Sequence, residues 1–302
     1  MLNYLRLIRL PNIFTSIADV LAGAFIAVGL QTHFTFEIIF PLFLLCISSA
    51  CIYANGIIWN DILDLETDIK VRSERPLPSN KISLKSAYNL SIILIIIMII
   101  SSALVSFTAL LLSVFILLLA WLYDSWTKHS EIAGSITMGA CRGFNLALGF
   151  CAFTLFTFNS NDSNMPDIMY FAGFHFIYIF LVTLTGTMQE GKIDHKKIYF
   201  IALGLLGLSI YSIILLPKMS FSALFLITAI LVAGAYRLYL IYQYKNVKDI
   251  GLTIKYSILI LIPLDALLST TGANSFIELF PSLVILLMFI PTLLFAKAIA
   301  VT

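Results

Sequence analysis

Asn60, Asp61, Asp64 and Asp68 are the residues whose types and spacing could do chemistry most directly. Asn60, Asp64 and Asp68 recur every four residues, so on a helix they share one face, with Asp61 beside it. Clustered carboxylates repel one another unless a cation sits among them. An all-oxygen donor set suits a hard ion such as Mg²⁺, which keeps several waters and bridges to substrate phosphate. These four residues are therefore candidate metal ligands. Arg72 and Arg75 follow, then Pro76-Leu77-Pro78, a turn that ends any helix. Guanidinium groups can grip phosphate oxygens directly. A solvated, positively charged loop would account for the basic residues, but it accounts poorly for the acids, which contribute little to membrane topology. The pattern predicts a site for a diphosphate held through Mg²⁺.

Membrane helices must position that chemistry. Of 302 residues, 60% are hydrophobic and 11% charged, and the mean hydropathy is +1.00; ordinary soluble domains carry about 25% charged residues. Ten apolar stretches lie near 12–30, 38–59, 84–106, 108–123, 132–156, 167–188, 197–216, 221–241, 252–270 and 277–300. Each reads as a helix, which satisfies its own backbone in lipid. The third and fourth nearly touch, so a tight hairpin joins them. With ten spans, all Lys and Arg except Lys218 and Arg142 fall on one side, which predicts a cytoplasmic N-terminus. Arg6 and Arg9 precede a run that is too long for a signal peptide and holds Asp19, so it reads as a first span. The four cysteines, none in a Cys-x-x-Cys pair, read as buried thiols, and the four histidines show no metal-ligand spacing. The expectation is an all-α, multi-pass protein of the plasma membrane in one unit, 1–302, with the bilayer as its surroundings and no nucleic-acid partner.

Asp19, Arg142 and Asp265 fall inside apolar stretches, where ionisable groups face the interior and need partners. Counted from the cytoplasmic ends of their helices they lie ~12, ~15 and ~20 Å deep. Arg142 is expected to pair with Asp19, Asp265 or both, or to recognise an anionic group of a substrate. Ser135, Gly139, Gly143 and Ala147 form a stripe of small residues suited to close helix approach. Asn12 and Asn145 are expected to line a cavity. Tyr53, Tyr123 and Tyr178 stand among abundant aromatics that serve mainly as core and interface anchors.

Asn60-Asp61-x-x-Asp64-x-x-x-Asp68, followed by Arg72-x-x-Arg75-Pro76-Leu77-Pro78 and Ile82-Ser83, resembles the first aspartate-rich motif of the UbiA superfamily of membrane prenyltransferases. Asn80 stands where that motif usually has glycine. Arg9-Leu10-Pro11-Asn12 is similar to the superfamily's opening motif, and Tyr123-Asp124-x-x-x-Lys128 with Gly139 and Asn145 resembles its middle region. Ala18-Asp19, Met138 to Asn145 and the final Ala300-Val301-Thr302 look closer to the EboC-like branch. The resemblance implies nine to ten transmembrane helices around a central cavity open to the cytoplasmic side. It implies Mg²⁺-dependent transfer of a prenyl group from a prenyl diphosphate to a hydrophobic acceptor, aromatic or lipid-like, that the sequence does not identify. Asp61, Asp64 and Asp68 would then be catalytic. Asn12, Asn60, Arg72, Arg75, Lys128, Arg142, Asn145, Glu190 and Lys192 would bind substrate, and Tyr53, Tyr123 and Tyr178 would be candidates for an aromatic cage around the carbocation.

One departure bears on the reaction. Catalytic members carry a second aspartate-rich motif after the sixth span, facing the first. Here that stretch reads Leu184-Thr185-Gly186-Thr187-Met188-Gln189-Glu190-Gly191-Lys192-Ile193-Asp194-His195, with only Glu190 and Asp194 acidic. Lys192, Lys196 or Lys197 could supply part of the missing metal's charge. The rival expectation is a non-catalytic membrane protein that binds or helps move an isoprenoid or similar lipid.

Overall fold

The structure is a computed structural model and describes residues 2–28, 36–152, 165–188, 194–215, 219–244, 248–271 and 279–298. Every regular element among them is a helix: α1 Leu2–Leu7, α2 Leu10–Val28, α3 Phe36–Leu63, α4 Leu65–Val71, α5 Leu84–Ala103, α6 Phe107–Ser125, α7 Glu131–Phe150, α8 Met165–Gly186, α9 His195–Leu215, α10 Phe221–Tyr244, α11 Lys248–Leu259, α12 Leu261–Leu268, α13 Phe280–Leu287 and α14 Phe289–Ala298. A 3₁₀ turn, Thr127–His129, joins α6 to α7.

Among the described residues eight helices are long and apolar enough to cross a membrane, with α11 and α12 together forming the last. Two further apolar stretches of the sequence behave differently. The stretch at 277–300 breaks into α13 and α14 at Met288. The stretch at 132–156 becomes α7, which packs against α2, α6 and α8. Its buried residues are mostly small or polar, namely Gly134, Ser135, Thr137, Gly139, Arg142, Gly143, Asn145 and Gly149. A helix enclosed by other helices does not need a lipid-compatible surface.

The lipid-facing helices show the opposite distribution. On α5, Ile92, Ile93, Ile96 and Ile100 are exposed while Ser91, Ser101 and Ser102 are buried. Hydrocarbon is as apolar as isoleucine, so burial selects for close packing and for hydrogen bonds rather than for apolarity. The expected hairpin joins α5 to α6 through residues 104–106, with the Ser106 side chain accepting the Ala109 N–H as an N-cap.

Small residues let the central helices approach. A Cβ added at Gly143 would lie 2.8 Å from the Ala172 carbonyl oxygen of α8, and one at Gly149 would lie 2.0 Å from that of Val20 on α2. The stripe read from the sequence is thus the α7–α8 seam. Gly149, on the adjacent face, forms the α7–α2 seam.

Candidate active site

Helix α3 carries the acidic run to the edge of the bundle and stops at Leu63. Asp64 leaves helical geometry (φ −89°, ψ 4°), and α4 resumes the run. Two i→i+4 backbone bonds still span the break, from Asp64 N to the Asn60 carbonyl and from Asp68 N to that of Asp64, at 2.9 and 2.8 Å. The break alters the expected shared face. Asp61 and Asp68, seven apart, are the buried carboxylates, each 2% exposed, while Asn60 and Asp64 are half-buried. Glu66, in the same run, is exposed.

The turn after α4 folds back over these carboxylates. Arg75 Nη1 donates to Asp68 Oδ2 at 2.6 Å and to Asp61 Oδ1 at 3.3 Å. Arg72, its side chain half-exposed, reaches Asp68 at 3.6 Å. Pro76 and Leu77 are buried, and Asn80 takes a left-handed conformation (φ 56°). This explains how Asn80 replaces a glycine, because asparagine tolerates that region better than most residues.

Two cations come from elsewhere in the chain. Lys128 Nζ, on the 3₁₀ turn, donates to Asp64 Oδ1 at 2.6 Å. Arg9 Nη2, between α1 and α2, donates to Asp61 Oδ1 at 2.8 Å. Arg9 has φ 47°, an uncommon value for a side-chain-bearing residue and one tolerated where the surroundings fix it.

A cavity of about 260 Å³ lies beside this cluster, walled by α2, α3, α6 and α7. Arg9 and Asn60 belong to both the cluster and the wall. Ile52, Ile57, Ile116, Ala120 and Met138 make the middle apolar, and Tyr53 and Tyr123 also face it. Ser16, Ser49, Arg142 and Asn145 add a polar region. Its amide is fully engaged: Asn145 donates to the Ser16 carbonyl at 2.8 Å and to Asp19 Oδ2 at 2.9 Å, and accepts from Ser49 at 2.7 Å.

Arg142 pairs with Asp19 at 2.8 Å and also donates to Thr15 Oγ1 at 2.9 Å. The guanidinium lies over the Tyr53 ring, 5.1 Å from its centroid. Asp265 has a different partner, His175, whose Nε2 is 2.5 Å from Asp265 Oδ1 and 3.9 Å from Asp19 Oδ1. Of the partners expected for Arg142, Asp19 is the one it bonds, while Asp265 is taken by His175, a residue unremarkable in the sequence. Asp19, His175 and Asp265 each offer a metal-ligand atom within 4.8 Å of the others. A metal between nitrogen and oxygen ligands at about 2.0–2.1 Å needs more room than the His175–Asp265 contact leaves. Arg142 already brings a cation to the group. It fastens α2, α7, α8 and α12 together.

Three further expectations change. Asn12 is not among the residues lining the cavity, and its backbone carbonyl accepts from Thr15 Oγ1 at 2.7 Å in the first turn of α2. Tyr178 lies apart from the cavity, with its hydroxyl on the Ser257 carbonyl at 2.9 Å. Lys197 is engaged by Glu131 at 2.6 Å and Thr187 at 3.1 Å. Glu190 and Lys192 lie outside the described residues. Two cavity residues, Arg9 and Asp124, were missed as site residues, although each falls in a motif the sequence displays. Asp124 is buried and accepts from Asn60 Nδ2 at 3.1 Å.

A model of the UbiA prenyltransferase family matches residues 17–190 of the chain. The chain belongs to the UbiA prenyltransferase family. Among its relatives, the digeranylgeranylglyceryl phosphate synthase of Sulfurisphaera tokodaii is 27% identical over 196 residues, 64% of each chain. The 4-hydroxybenzoate octaprenyltransferase of Cronobacter sakazakii is 32% identical over 117 residues, 37% of this chain and 40% of the relative. The chain thus spans about two fifths to two thirds of these curated relatives. A solved UbiA homologue from Archaeoglobus fulgidus, bound to DMAPP and Mg²⁺, shares the fold with a TM-score of 0.61 at 11% identity, over 87% of this chain and 99% of that one. Family membership accords with the all-helical membrane bundle found here.

The residues at the end of α3 fit a divalent cation by chemistry, since Asp61, Asp64, Asp68 and Asn60 supply hard oxygen donors. In this structure Arg9, Arg75 and Lys128 hold those carboxylates instead. A ligand bringing both a cation and an anion could exchange with these pairs without leaving any charge unmatched.

Proposed function

We propose that this chain is a Mg²⁺-dependent membrane prenyltransferase that moves a prenyl group from a prenyl diphosphate to an acceptor entering from the bilayer. One observation carries the reading: an acidic cluster already engaged by Arg9, Arg75 and Lys128 adjoins, through Arg9 and Asn60, a cavity with a mostly apolar wall.

Asn60, Asp61, Asp64 and Asp68 would hold the cation. Bound there, Mg²⁺ supplies Lewis-acid stabilisation of charge on the diphosphate. Arg9, Arg75 and Lys128 turn from the carboxylates to the phosphate oxygens, with Arg72 at the exposed edge. The allylic C–O bond breaks with its electron pair leaving on the diphosphate, where fixed cations are worth most as charge builds. Tyr53 and Tyr123 present aromatic faces to the developing carbocation. Tyr53 already carries Arg142 near one face. The acceptor's nucleophile donates a pair to the same carbon and releases its proton.

The acceptor is hydrophobic with a hydrogen-bonding end, suited to Ser16, Ser49 and Arg142, with Asn145 holding Ser49 and Asp19 in place behind them. Glu190 and Lys192 are kept as proposed substrate-binding residues on the sequence motif alone. The side bearing most Lys and Arg, with the N-terminus, is assigned to the cytoplasmic face of the plasma membrane. Within the family we keep the EboC-like branch as the finer assignment, on the motifs Ala18-Asp19 and Met138 to Asn145.

The test is incubation of purified protein with Mg²⁺ and a panel of prenyl diphosphates and acceptors, following diphosphate release, with Asp64→Ala as control. Turnover lost in the variant supports the reading. Mg²⁺-dependent binding without turnover on any acceptor would instead establish the non-catalytic lipid binder.

A further inference from the structure

Two matched pairs of residues face each other where α3 and α6 end. Asn60 and Asp64 lie four residues apart at the end of α3, and Asp124 and Lys128 lie four apart across the end of α6 and its 3₁₀ turn. Asn60 Nδ2 donates to Asp124 Oδ1 at 3.1 Å, and Lys128 Nζ donates to Asp64 Oδ1 at 2.6 Å. The second pair holds a carboxylate with a cation. The first holds an amide with a carboxylate, and its consequence is directional.

An amide group has a donor end and an acceptor end that are nearly equal in shape, so it can sit either way round unless a partner discriminates. A carboxylate oxygen accepting a hydrogen bond selects the NH₂ end. Asn60 Oδ1 is then turned away from Asp124. Asp124 is 5% exposed, so little water competes for its oxygens. Both residues border the cavity. A metal ligand held in this manner by an acceptor behind it is a known means of setting ligand orientation and affinity.

We propose that Asp124 is a positioning residue that fixes the Asn60 amide with its carbonyl oxygen available to the divalent cation. The proposal rests on the reading of Asn60 as a ligand in a Mg²⁺-diphosphate site. It concerns how one ligand is oriented, and it assigns Asp124 no contact with the cation.

Mn²⁺ binding to the full-length protein in lipid nanodiscs, read by electron paramagnetic resonance with a prenyl thiolodiphosphate present, tests it without requiring turnover. Asp124→Ala should weaken Mn²⁺ binding by about 10–100-fold. Asp124→Asn conserves volume but presents an amide that can turn either end to Asn60, so it should also weaken binding, by several-fold, although the packing is unchanged. Asn60→Ala should lose as much as Asp124→Ala, and the double variant no more than either, because the two substitutions remove one function. Losses that add, an unchanged Asp124→Ala, or an Asp124→Asn that binds as tightly as the parent protein would each overturn the proposal while leaving the diphosphate site standing. Parent protein that binds neither Mn²⁺ nor thiolodiphosphate would remove both.

Discussion

Asp61 and Asp68 share one donor. They stand on either side of the helix break at Asp64, and Nη1 of Arg75 lies 3.3 Å from the first and 2.6 Å from the second. Both carboxylates are almost fully enclosed, so the guanidinium is part of what makes their burial tolerable.

Arg75→Gln therefore has opposite effects on two ligands. It takes one cation from two carboxylates, leaving Asp61 with Arg9 and Asp68 with Arg72, and so should bind Mn²⁺ alone more tightly than the parent protein. It removes a charge-assisted donor and so should bind prenyl thiolodiphosphate about tenfold or more weakly. Equal losses for both ligands in calorimetry would contradict the exchange of partners.

The acidic run contains its own control. Glu66 is exposed and Asp64 is paired with Lys128. Glu66→Gln should change unfolding stability by no more than about 0.5 kcal/mol and leave diphosphate release unchanged. Asp64→Asn should abolish Mg²⁺-dependent release. An effect of Glu66→Gln on release would mean that the run acts by bulk charge.

Arg142 and Asp19 form a buried pair, 8% and 0% exposed at their side chains. Removing one partner leaves a charge without a counterion, so Arg142→Met should cost about 3–5 kcal/mol in denaturant unfolding. The double variant Arg142→Met with Asp19→Leu should recover most of it. If it does not, then the hydrogen bonds to Thr15 and Asn145, rather than the charge pair, hold this part of the bundle.

Gly149 meets α2 backbone to backbone. A Cβ there would sit 2.0 Å from the Val20 carbonyl oxygen and 2.8 Å from the Ala24 nitrogen, neither of which can swing aside as a side chain does. Gly149→Ala should lower stability by about 1–3 kcal/mol, seen as a lower melting temperature. Gly207, which has nothing within 4 Å of an added Cβ, should accept alanine without loss of packing.

Much of the architecture was legible in the chain because lipid imposes a simple rule. Apolar runs of spanning length must be helical, and those expected near 84–106 and 108–123 appear as α5 and α6 with the tight hairpin between them. The acidic cluster was legible for a related reason, since carboxylates at a membrane edge are costly without a use. The small-residue stripe at Ser135, Gly139 and Gly143 likewise announced a close seam.

Partner choice was decided elsewhere. Nothing in local spacing tells Asp265 to pair with His175 rather than Arg142, because that depends on α8 and α12 meeting at one depth. Arg9 and Asp124 join the site only because the start of α2 and the end of α6 converge on the end of α3. The sequence by itself determined which segments enter the membrane and which residue types crowd its edge, since those follow from transfer free energies along the chain. Only the tertiary structure decided which charge faces which, because electrostatic pairing acts over a few ångströms between residues that lie 52 and 64 positions apart.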